Sequence, residues 1–103
     1  MKFPEKIKVG AHEYTVLYPY KWRERSDYSG QCDNSLLELR IDASDPCGIK
    51  RADSKIIGTL IHEILHAISE TWEIKLEEDQ VLRLGEGILA VLNDNNYLQM
   101  VIE

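Results

Sequence analysis

A chain of 103 residues suffices for one domain with a real but modest core, which it can fold around without a metal or disulfides. Its apolar share of 44% beside 29% charged residues is ordinary for a globular protein and argues against disorder. With 12 basic against 18 acidic residues the net charge is -6, which speaks against nucleic acid or an anionic membrane as partner; only the local run Lys21, Arg23, Arg25 points the other way.

No apolar run is long enough to cross a bilayer, and the opening MKFPEKIKVG lacks the apolar stretch of a secretory signal, so the expected location is the cytoplasm. Cys32 and Cys47 are fifteen apart with no CxxC pairing. They read as free, half-buried thiols rather than a zinc knuckle or redox pair.

In chain order, KIKVGAHEYTVLYPY alternates apolar and polar residues around a glycine break and predicts a β-hairpin, with strands near Lys6 to Val9 and Tyr14 to Tyr18, ended by Pro19. KWRERSDYSG is polar and aperiodic, a loop. GQCDNSLLELRID predicts a turn at Asp33 and Asn34, then a strand through Leu36 to Ile41. ASDPCGIKRADS, punctuated by Pro46 and Gly48, leads into a helix that Asp53 or Ser54 can cap.

In that helix Ile56, Ile57, Leu60, Ile61, Ile64, Leu65 and Ile68 recur at helical spacing to about Thr71. A second helix is expected from Glu77 to Leu92, with Val81, Leu82, Leu84, Ile88, Leu89, Val91 and Leu92 as its apolar set and an acidic first turn that suits the helix dipole. The tail NDNNYLQMVIE should stop the helix and can add a short strand or turn. Strands followed by helices without alternation predict an α+β fold: a small antiparallel sheet of about three strands with both helices on one face, residues 1–103 forming a single domain.

The first helix contains HEILH, His62 to His66. Residues four apart on a helix lie one above the other, so two imidazoles can meet one tetrahedral ion, and Glu63, one step round, can take a proton from water at that ion. Zinc brings the pKa of such a water to about 7. On a wheel of about 100° per residue starting at Ile56, the apolar set spans roughly 0° to 180°, while His62 and His66 fall near 240° and 280°. The histidines oppose the apolar arc, which is not where core histidines sit.

A catalytic zinc needs a third protein ligand. His12, the remaining histidine, falls in the hairpin turn and reads as exposed. On the second helix, Glu77 and Glu78 each lie roughly 50° from the centre of the apolar face, whereas Asp79 and Glu86 lie well over 100° away. Spacing leaves Glu77 and Glu78 both open. Gly85, two turns below Glu78, offers room for a close helix approach.

The runs KVGAHEYTV, GQCD before LLELRID, LIHEILHAI and LEEDQVLRLGEGILAVLNDN together resemble the small phage-encoded HExxH zinc metallopeptidase-like proteins, related in pattern to ImmA/IrrE and SprT-like domains. The resemblance covers about Lys6 to Asn95. It implies a minimal gluzincin-like fold in a bacterial host cell, with zinc as cofactor, His62, His66 and Glu78 as metal ligands, Glu77 in reserve, and Glu63 as general base. The implied activity is hydrolysis of peptide bonds in a cytosolic protein or peptide, aligned along the strand Leu36 to Ile41 by β-addition. Tyr28 and Tyr18 are candidate oxyanion donors. A zinc-binding phage or host interaction module with little or no turnover is the second expectation, since so short a chain has little surface for a deep specificity cleft.

Overall fold

The computed structural model describes residues 2–22 and 28–98. Within them the order is β1 (Lys6–Val9), β2 (His12–Leu17), β3 (Gly30–Asp33), β4 (Glu38–Ile41), α1 (Asp53–Thr71) and α2 (Glu78–Asp94). Arg23 and Arg25, and the tail from residue 99 onward, lie outside the described residues.

β1 and β2 form the expected hairpin, with Val9 opposite His12 and Gly10–Ala11 as its two-residue turn. Gly10 sits at φ +62°, where a hairpin turn of this length favours glycine. A β-carbon there would also stand 2.7 Å from Cγ2 of Thr71, so the turn needs a bare position where it meets the end of α1. The second turn is held by Asp33, whose Oδ1 accepts the N–H groups of Ser35 at 3.0 Å and Leu36 at 2.9 Å.

The sheet departs from the sequence reading. It has four strands, ordered β1-β2-β4-β3, and it is mixed: β2 and β4 run parallel, while the other two pairs are antiparallel. The added strand is β3, GQCD, too short for an alternating pattern to stand out. In β4 the alternation of half-buried Glu38 and Arg40 with buried Leu39 and Ile41 marks the inward face. That period of two is the same for parallel and antiparallel neighbours, so it carries no information on direction. β4 is therefore an interior strand, and the segment Leu36 to Ile41 is not the free edge expected of it; β3 is.

α1 packs across β3 and β4 and touches β1. Tyr14, Leu39, Ile41, Ile56, Leu60 and Val81 are fully buried and form the centre of the core, each such side chain contributing roughly 1.5–3 kcal/mol of hydrophobic stabilisation. The cap of α1 is Ala52, without a side-chain bond, rather than Asp53 or Ser54; Asp53 instead pairs with Lys50 at 3.0 Å.

α2 does not lie on the sheet: among the described elements it packs on α1 alone. Only Val81 and Gly85 of α2 are buried, with Leu89 and Leu92 half-buried against the core. Leu82, Leu84, Ile88 and Val91 are exposed, so most of the expected apolar face of this helix is not core. No helix among the described residues is long and apolar enough to cross a membrane.

Candidate metal centre

α1 places His62 above His66 as the four-residue spacing requires, with their Nε2 atoms 3.2 Å apart. The third group arrives through a short reversal of the chain. After Trp72 caps α1, Glu73 and Lys75 take positive φ, and Ser69 Oγ accepts the Leu76 N–H at 2.9 Å. So short a connection makes α2 an antiparallel neighbour of α1, and its first turn comes back over the histidines.

Glu78 is the acid this delivers. Its Oε1 lies 2.6 Å from Nε2 of His62 and its Oε2 lies 3.0 Å from Nε2 of His66. One donor atom from each of the three residues falls within 4.8 Å of the others. Glu77, left open beside Glu78 by helical spacing, is the exposed N-cap residue, its N–H donated to Oε1 of Gln80 at 2.8 Å. Asp79 and Glu86 stand outside the donor group, as does His12, which is exposed at the start of β2 rather than in the turn.

The wheel places the histidines off the apolar arc, and they do leave it, but they do not face open water. α2 covers them, leaving the side chains of His62 and His66 only 19% and 30% exposed. The approach is close at Gly85, where a β-carbon would sit 3.9 Å from Cα of His62. The bare row beneath Glu78 is thus where the two helices meet.

The polar atoms crowd one point: the two Nε2 atoms are 3.2 Å apart, and each lies 3.0 Å or less from an oxygen of Glu78. Two imidazole nitrogens and a carboxylate oxygen are the donor set zinc takes in catalytic sites, and one cation among them would bond to all three residues.

Glu63 lies beside this group, buried to 6% exposure. Its carboxyl is pushed up to about 7, first by burial and then by the charge of Glu78. On its other side is the backbone of β3: a β-carbon on Gly30 would be 2.9 Å from Oε2 of Glu63. Glu63, His62 and His66 open into a cleft of about 910 Å³ whose floor is α1 and whose walls are β3 and α2.

Three further residues shape that wall. Arg51 donates to the carbonyl of Asp42 at 2.7 Å and to Oγ1 of Thr59 at 2.6 Å, tying the end of β4 to α1. Thr59 and Gly30 are in contact across the gap between α1 and β3. Sequence reasoning missed all three, although Thr59, one turn before Glu63, lies near 300° on the wheel between the two histidines and Glu63.

Of the tyrosines considered as oxyanion donors, Tyr28 lines the cleft, whereas Tyr18 stacks on Phe3 at 4.4 Å and does not. Cys32 of β3 is half-buried as expected, donates to Oδ1 of Asn34 at 3.2 Å, and lines the cleft; Cys47 is exposed.

Fold and donor set together define an α+β chain with a three-residue site suited to a divalent cation. No protein-family model, curated protein or solved structure matches the chain.

Proposed function

We infer that the protein is a zinc-dependent metallopeptidase of the minimal HExxH kind, similar to the small phage-encoded proteins its motifs resemble, and that it acts on a protein or peptide in the bacterial cytoplasm. His62, His66 and Glu78 hold the ion. The observation that supports this most is the convergence of two imidazoles and a carboxylate on one point, beside the buried Glu63.

Zinc bound there supplies Lewis-acid polarisation of a peptide carbonyl and an acidified water. The chain's own groups do the rest. Glu63 accepts a proton from water as it adds to the carbonyl carbon, and returns it to the amide nitrogen as the C–N bond breaks. Its burial favours the protonated form and so strengthens it as the acceptor in the first of these transfers. Among the described residues the outer edge of β3 has no neighbouring strand, and it runs past Glu63 at Gly30, so an extended peptide added to it has its carbonyl groups beside the site.

The test combines elemental analysis with peptide-library digestion read by mass spectrometry. The reading requires about one zinc per chain and cleavage that Glu63→Gln lowers by about 10²–10⁴-fold while zinc stays bound. Zinc without cleavage by the wild type supports the interaction-module reading instead, and a chain that takes up no zinc ends both.

A further inference from the structure

α2 carries an apolar stripe that nothing in the described chain covers. With Leu84 at zero on a wheel of about 100° per residue, Val81, Gly85 and Leu89 fall at roughly 60° to 140°, toward α1. Leu84, Gly87, Ile88 and Val91 fall within about 50° of 350°, on the side of the apolar arc that continues past that contact. Leu84, Ile88 and Val91 are 47%, 39% and 58% exposed. Among the described residues, a shallow apolar hollow at Gly87 is lined by those of α2. Among the described residues no atom lies within 4 Å of a β-carbon built on Gly87, so this glycine weakens the helix by roughly 1 kcal/mol relative to alanine with no compensating contact among them.

We propose that this stripe is a homodimer face, on which a second copy of the chain lays its own α2 antiparallel. The stripe is self-complementary. A two-fold axis passing between residues 87 and 88 brings the bare Gly87 of each copy to that of the other, sets Ile88 beside Ile88 on the second flank, and places Leu84 against Val91. Arg83 and Asp94 lie at roughly 260° and 280°, on one flank of the stripe. The two-fold axis brings like flanks together, which puts Arg83 of one copy within about 3 Å, measured along the helix, of Asp94 of the second copy. Both are exposed, and neither has an ion-pair partner among the described residues. Within one chain they are eleven residues apart and out of each other's reach.

A contact of about three helical turns is at the small end of specific interfaces, so the pairing is of the weak, reversible class. The α2 residues that line the cleft, among them Glu78, Leu82 and Glu86, lie on the opposite flank at roughly 100° to 200°. Pairing therefore leaves the cleft open and does not depend on metal.

Sedimentation equilibrium of the full chain from about 1 µM to about 1 mM tests this. The mass should climb from 11.9 kDa toward twice that value, equally with and without a chelator. Ile88→Lys should hold the chain at 11.9 kDa. Arg83→Glu and Asp94→Lys should each weaken pairing about tenfold, and the two combined should restore it to within about threefold. Circular dichroism matching the wild type shows that the variants are folded, all three sites being exposed. A constant monomer mass would mean that another partner covers the stripe, and would overturn the proposal. So would a dimer that survives Ile88→Lys, or a combined variant as weak as the single ones.

Discussion

Gly30 of β3 lies so close to Glu63 of α1 that a β-carbon at position 30 would stand 2.9 Å from Oε2 and 3.2 Å from Cγ of that glutamate, and closer still to Cγ2 of Thr59. Thr59 cannot simply turn aside, because its Oγ1 donates to the Lys55 carbonyl at 3.0 Å and accepts from Arg51 at 2.6 Å. Gly30→Ala should therefore force β3 away from α1. The expected cost is about 1–3 kcal/mol in denaturant unfolding. Any peptide cleavage should fall more than about tenfold while zinc stoichiometry is kept. Unchanged stability and cleavage would mean that the contact constrains nothing.

The two adjacent glutamates should separate cleanly in zinc binding. Glu78→Ala removes a donor atom and should weaken zinc affinity on the order of 100-fold, about 2.7 kcal/mol. Glu77→Ala changes an exposed cap residue and should alter affinity less than about threefold. Competition against a chromogenic chelator measures both, and equal losses would remove Glu78 from the ligand set. The same difference should appear in melting curves, since a given zinc concentration raises the midpoint of the Glu77 variant more than that of the Glu78 variant.

In the metal-free protein, Glu63 links folding to pH. Its carboxyl ordinarily titrates at 4.5 and in the fold at about 7. Between those values the native state holds a proton that the unfolded chain has lost, so stability falls as pH rises through the window. Glu63→Gln removes that slope. Relative to wild type in the presence of a chelator, the variant should gain nothing near pH 4.5 and about 3 kcal/mol by about pH 8. A flat difference across the window would show that the carboxyl is not desolvated.

The cysteines should differ sharply in reactivity. Burial first, then the charges of Glu63, Asp33 and Glu70, push the Cys32 thiol up to about 12. Cys47 is exposed. In iodoacetamide labelling of the native protein at about pH 8, Cys47 should react at least about 100-fold faster, and the two should become equal in denaturant. Glu63→Gln should speed the labelling of Cys32. Rapid alkylation of Cys32 in the native wild type would place it in a different environment.

Legibility tracked how local each feature is. The β1–β2 hairpin, the apolar stripe of α1 and the turn at Asp33 were readable because each depends on neighbours within a few residues. The short strand β3 was not, having only four residues and no independent pattern. The apolar set of α2 was readable too, but it spans a broad continuous arc, and spacing does not say which part of that arc meets α1. At the site, the relation of His62, Glu63 and His66 follows from the pitch of one helix. The choice between Glu77 and Glu78 hung on the rotation of a second helix, which spacing left open and the family resemblance pointed toward Glu78.

The sequence by itself determined the elements that repeat at short range, the helix presenting two imidazoles and a carboxylate on neighbouring positions, and an acidic helix start close behind it. Tertiary structure alone decided that β2 and β4 run parallel, that β3 is the edge facing the cleft, that Gly30 presses on Glu63, and that Glu78 is the acid that meets both histidines. The physical reason is that backbone periodicity sets which face a residue occupies. Which face meets which is set by side-chain volumes and chain reversals such as the one from Trp72 to Leu76, and these act only once distant segments are packed together.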